Sequence, residues 1–152
     1  MQFDAIAVHG HAVSGTRIAF WTPSTNTTGG LGSLWKAYTA PLVPFTFAAV
    51  LWDQGEADEG SGYPGTPREP AAAYGLEFPT LITKWRSAFE MPVTGDRVVP
   101  FVYVELDSAR QDFWLAQRNA TALPAVGFAT TVDIEKATHP PDKQAVAQRL
   151  VE

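Results

Sequence analysis

The sequence predicts an α/β fold: a mainly parallel sheet covered by helices on both faces. Three observations carry this. Apolar runs that read as strands alternate with stretches of helical periodicity. Those runs are nearly continuous rather than alternating, the mark of strands buried on both faces. Polar clusters, one built on Gly55, follow the runs, where parallel sheets carry their sites.

Residues 3–8 (Phe-Asp-Ala-Ile-Ala-Val) read as a short strand ending in His9-Gly10-His11 and a turn-rich loop through Gly15. Residues 17–21 start a second short element, and residues 22–32, rich in Ser, Thr, Asn, Gly and Pro, read as a surface loop. Residues 34–42 are amphipathic and predict a helix stopped by Pro41 and Pro44. Residues 45–52 predict the strand that delivers Asp53-Gln54-Gly55-Glu56-Ala57-Asp58, and residues 58–70 a polar loop. Tyr74, Phe78, Leu81, Ile82, Trp85 and Phe89 recur at helical spacing, predicting a helix over 71–89 that Pro79 divides or kinks. Residues 98–106 predict the next strand, 108–121 a helix capped by Ser108, and 125–132 a third strand ending at Asp133. A loop with His139 precedes a closing helix over 142–151 that turns Val146, Leu150 and Val151 inward.

The 152 residues predict one domain with a sizeable core. A net charge of −5 and the lack of any basic run exclude nucleic acid as a partner. No cysteine is present, so disulfides and thiol chemistry are excluded. No apolar run reaches the roughly 20 residues that span a bilayer, so no membrane partner is predicted. The first residues lack the basic start and apolar stretch of a signal peptide, leaving the cytoplasm as the default compartment. The two glycosylation sequons, at Asn26 and Asn119, are therefore read as chance. The five Trp either fill the core or line a sugar or acyl site.

Six blocks in order, and a seventh segment at residues 14–21, carry a family resemblance. Trp52-Asp53-Gln54-Gly55-Glu56-Ala57-Asp58 is similar to the W-x-Q-G-E-[SA]-[ND] block of the sialate O-acetylesterase and acetylxylan esterase branch of the SGNH (GDSL-like) hydrolases. Leu34 through Ala40-Pro41-Leu42 resembles the helix before that block. Leu81-Ile82 with Trp85-Arg86 resembles its L-I-x-x-W-R helix, and Pro100-Phe101 with Val104-Glu105-Leu106 its P-F-x-x-V-Q-L strand. Arg110 with Ala116-Gln117 resembles the next helix face, and Thr138-His139-Pro140 with Lys143 and Arg149-Leu150 the closing segment. Ser14-Gly15-Thr16-Arg17-Ile18 with Trp21 resembles G-G-T-x-I-x-x-W. The resemblance runs from about residue 6 to the end.

It implies a three-layer α/β/α sandwich with flavodoxin-like strand order and hydrolysis of short acyl esters, often acetyl groups on sugars, with no cofactor or metal. His139 is implied as general base, Gly15 and Gln54 as oxyanion donors, and Glu56 as the residue ordering the loop; Trp21 and Trp52 are candidate substrate contacts. Two departures matter. The family's G-Q-S-N-M serine block is absent, so the chain reads as a single truncated domain that begins after the first strand. Ser14 is the leading replacement nucleophile, with Ser24, Ser33 and Ser61 as alternatives. Lys136 stands where the family often has the orienting aspartate, leaving Glu135, Asp133 or Asp142, or a dyad without the acid. An interior strand removed from such a sheet exposes edges that pair with another chain, predicting a homo-oligomer. A non-catalytic sugar-binding member, and a metal-assisted hydrolase using His9, His11 and Asp58, are the competing readings.

Overall fold

The computed structural model describes residues 8–43, 45–60, 69–91, 98–106, 110–134 and 141–152. Its centre is a three-stranded parallel sheet, β1 (Val50–Trp52), β2 (Phe101–Glu105) and β3 (Val126–Thr130), in the order β1-β2-β3. The helices are α1 (Ile18–Trp21), α2 (Glu56–Glu59), α3 (Ala71–Ala88), α4 (Gln111–Arg118) and α5 (Lys143–Val151). Helices cover both sides of the sheet, as an α/β fold requires. Among the described residues no helix is long and apolar enough to cross a membrane.

Register sets the two faces. Trp52 lies opposite Tyr103, which lies opposite Phe128. On this face Trp52 meets Trp85 edge-on at 5.6 Å, and Phe78 meets Tyr103 at 5.1 Å, so α3 seals the sheet with aromatic rings. Phe113 of α4 closes on Tyr74 at 4.7 Å. On the opposite face α5 packs over β2 and β3 with Val146 inward. Leu51 of β1, on that second face, remains 56% exposed. Among the described residues β1 pairs only with β2.

Helix α3 is one continuous helix through Pro79. Proline has no N–H to give the Gly75 carbonyl one turn earlier. The Asn119 side-chain amide donates to that carbonyl instead, at 3.3 Å. Gly75 permits the approach, since a Cβ there would stand 2.7 Å from Asn119 Nδ2 and 3.3 Å from Ala116.

Several boundaries differ from expectation. The apolar run 45–52 is a strand only over its last three residues. The Phe45 N–H still bonds the Leu42 carbonyl, Phe45 is 58% exposed, and Phe47 is drawn to the ring of Phe89. The segment 34–42 narrows from a π-helical turn (Trp35–Thr39) to a 3-10 turn (Ala40–Leu42), because Pro41 cannot continue an α-helical ladder. Helix α5 starts at Lys143 with Asp142 as its cap, whose Oδ1 accepts the Ala145 N–H at 2.9 Å. Val151, expected inward, is 76% exposed at the end of this helix, while Val146 carries the packing. Most of the predicted first strand, and Ser108, lie outside the described residues.

Candidate active site at the carboxyl end of the first strand

Beyond Trp52 the chain leaves the sheet through Asp53 and Gln54, then turns at Gly55, whose φ of +149° only glycine tolerates readily. Close packing imposes the same requirement. A Cβ on Gly55 would lie 2.7 Å from Leu106 Cδ1 and 3.2 Å from the Phe113 ring. This turn presents Gln54 on one side and starts α2, with Glu56, on the other.

The Gln54 carboxamide is the hub of the site. Its Nε2 donates to the Thr16 carbonyl at 3.0 Å and to Asp58 Oδ2 at 2.5 Å. The Tyr74 hydroxyl donates toward both Gln54 oxygens, the backbone O at 3.2 Å and Oε1 at 3.3 Å. Asp58 Oδ2 also accepts the Ile18 N–H at 3.0 Å. Three segments distant in sequence, 16–18, 54–58 and Tyr74, are thereby joined through one amide and one carboxylate.

The electrostatics follow from burial. Asp58 is 3% exposed, and desolvation raises its pKa against the opposing pull of the Gln54 and Ile18 hydrogen bonds and the charge of Arg17. Burial, reinforced by Asp58, pushes Tyr74 well above its usual range, so its hydroxyl keeps its proton. Trp52 Nε1 and Gln117 Nε2 make no hydrogen bond of good geometry, although both lie near enough to this hydroxyl to act on it. Arg17 pairs with Glu69. Beside them lies a cavity of about 330 Å³ lined by Arg17, Phe20, Asp58, Glu69, Tyr74 and Glu77 among others. Burial and the Asp58 charge raise the Glu77 carboxyl as well.

Of the residues singled out from sequence, Ser14 and Gly15 form an exposed turn, with Gly15 at φ +69°. The bond from Gln54 to Thr16 sets this turn beside the hub. In this arrangement both hydrogens of the Gln54 amide are engaged. Glu56 is half-buried at the start of α2. Trp21 and Trp52 are core residues packed edge-to-face at 6.2 Å, and the Trp21 indole N–H is held by Thr16 Oγ1 at 3.0 Å. Asp133 is exposed, with both carboxylate oxygens on Arg149 at 2.5 and 2.6 Å, which holds its pKa down at about 2. Ser24 donates to the Asn26 carbonyl in its own loop. His139, Glu135 and Ser61 lie outside the described residues.

The trio of the competing metal reading does not assemble: His9 lies against Phe45, His11 against Tyr38, and among the described residues no group of three ligand-type side chains converges. Sequence reasoning missed the roles of Thr16, Tyr74 and Asp58 as holders of Gln54. The four-residue spacing from Gln54 to Asp58 was the one available signal.

Residues 2–149 match the family model described as carbohydrate esterase, sialic acid-specific acetylesterase. No curated protein matches the chain. Among solved structures it is similar to a carbohydrate acetylesterase from Xanthomonas citri, with 27% sequence identity and a TM-score of 0.69. That match covers 90% of this chain and 33% of the Xanthomonas enzyme, so the chain spans about a third of that relative's length.

Proposed function

Because the chain belongs to the sialic acid-specific acetylesterase family of carbohydrate esterases, we propose that it hydrolyses short acyl esters, acetyl groups on sugars foremost. The observation that carries this reading is the Gln54 amide, held beside the Ser14–Gly15 turn at the carboxyl end of β1. In the proposed reaction Ser14 Oγ attacks the acyl carbonyl carbon while His139 takes the hydroxyl proton. The carbonyl oxygen gains negative charge, which the Gly15 N–H and the Gln54 amide stabilise. The carbon–oxygen bond to the sugar breaks, and His139 returns the proton to the leaving alcohol. Water, activated by the same imidazole, then releases acetate and regenerates the serine. Glu56 keeps the loop after Gly55 in place, and Asp133 or Glu135 is the candidate orienting acid.

Fluorophosphonate labelling with peptide mapping tests the nucleophile, and turnover of a nitrophenyl acetate tests the reaction. The expected result is one modified serine, at Ser14, and turnover abolished in His139→Ala. Modification of a different serine with retained turnover reassigns the nucleophile. No labelling and no turnover overturn the esterase reading.

A further inference from the structure

Building on the esterase reading, we propose that Asp58 is a positioning residue that locks the Gln54 amide and the segment after Ser14 into one unit, leaving the Thr16 carbonyl as the contact that Gln54 gives up to substrate. The orientation of the amide is over-determined. Nε2 faces two acceptors, Thr16 O and Asp58 Oδ2, and Oε1 faces a donor, the Tyr74 hydroxyl. A flipped amide would turn Oε1 onto the Asp58 carboxylate and the Thr16 carbonyl, setting acceptor against acceptor.

The two bonds from Nε2 are unequal. The one to Asp58 is charge-assisted and short at 2.5 Å, whereas the one to Thr16 is neutral at 3.0 Å. An oxygen gaining negative charge competes for the weaker. Asp58 thus acts as the pivot that retains one amide hydrogen while the other becomes available. The same Oδ2 holds the Ile18 N–H, so the segment carrying Gly15 and Thr16 is anchored to the carboxylate that anchors Gln54.

Asp58 is itself fixed by backbone bonds: its N–H donates to the Gly55 carbonyl at 3.0 Å, and its carbonyl accepts the Glu69 N–H at 3.0 Å. A buried carboxylate is costly to keep ionised. At this position it serves two donors, the Ile18 N–H and the Gln54 amide, of which the amide also reaches Thr16 O.

The test combines kinetics on a nitrophenyl acetate with ¹⁵N-resolved resonances of the Gln54 side-chain amide. Asp58→Ala is expected to lower kcat about 100-fold, as a loosened positioning group does, with KM changed less than about 2-fold. Its Gln54 amide shifts should move toward those of a free glutamine, since only the Thr16 and Tyr74 contacts remain. Asp58→Asn retains an oxygen acceptor and is expected to recover kcat to within about 10-fold of wild type, with amide shifts intermediate between wild type and Asp58→Ala. A general loss of structure would not split kcat from KM, nor be rescued through the amide signal. Wild-type kcat in Asp58→Ala, or Gln54 shifts unmoved in both variants, overturns the proposal. If Asp58→Ala fails to fold, the near-isosteric Asp58→Asn carries the test, and an unmoved amide signal there is again decisive against it. A wild-type protein without turnover would remove the esterase reading instead, and the amide resonances would still decide whether Asp58 holds Gln54.

Discussion

Gly55→Ala is the substitution whose cost the structure defines most directly. At φ +149° an alanine is strained by about 1–3 kcal/mol. Its Cβ would stand 2.7 Å from Leu106 Cδ1, 3.2 Å from Phe113 Cε1 and 3.4 Å from Gln117 Nε2. All three residues are buried, and Gln117 Oε1 is fixed by the Leu106 N–H at 3.1 Å, so no neighbour yields freely. Overpacking of this kind adds about 1–3 kcal/mol. Together these give about 4 kcal/mol, a large part of the roughly 5–15 kcal/mol that stabilises a domain. For a chain of this size the loss lowers Tm by about 8–16 °C. Thermal unfolding followed by circular dichroism, with urea titration at fixed temperature, reads both quantities. Gly127→Ala is the control, because a Cβ there meets nothing within 4 Å, and it is expected to stay within about 0.5 kcal/mol of wild type. A loss below about 1 kcal/mol for Gly55→Ala would refute the packing argument.

Other outcomes follow from the same geometry. Burial raises the Asp58 pKa, so the folded state holds that proton more tightly than the unfolded chain, and stability falls as pH rises from the ordinary carboxylate range through the raised value. Asp58→Asn should therefore have the higher urea midpoint at pH 7, and the advantage should vanish below about pH 4. Tyr74→Phe removes the donor shared by the two Gln54 oxygens and is expected to cost about 1–3 kcal/mol in urea unfolding, with an unchanged m-value. Asp133, held at a pKa of about 2 by Arg149, contributes stability above the ordinary carboxylate range that is lost as pH falls toward 2. Its side-chain NMR titration should return to near 3.8 in Arg149→Gln. Self-association, expected from sequence, would cover the exposed Leu51 and Phe45, and a constant monomer mass across a dilution series in light scattering would remove that expectation.

The parts of the fold that could be read in advance are those whose cause is local. β2, β3 and α3 come from dense runs of β-branched and aromatic residues or from a long helical period, and they lie where the pattern put them. The parts misread depend on distant partners. β1 is shorter than its apolar run because pairing with β2 extends only from Val50 to Trp52, while Phe47 is claimed by Phe89, 42 positions away. Pro79 reads as a break, and the amide that repairs it comes from Asn119. The site shows the same division. The turn at Gly55 is visible as a glycine among polar residues at a strand end. The partners that hold Gln54 are a backbone carbonyl 38 residues earlier and a hydroxyl 20 residues later, and no spacing rule reaches them.

The segment from Gln54 to Asp58 therefore divides its work in a way composition alone conceals. Gln54 offers the side-chain amide proposed to meet the reacting oxygen. Gly55 is there because Leu106, Phe113 and Gln117 leave no room for a side chain, which brings the end of β2 and the face of α4 against the turn. Asp58 is there because two N–H groups, from Gln54 and Ile18, converge on one oxygen. A neutral acceptor would satisfy both donors with a smaller burial penalty. What the charge adds is a difference in strength between the two bonds of the Gln54 amide, the difference by which, in the role proposed for Asp58, one hydrogen is held and the other released. A buried carboxylate that lowers stability at neutral pH and the proposed release of one Gln54 contact to substrate are, on this reasoning, two consequences of the same placement.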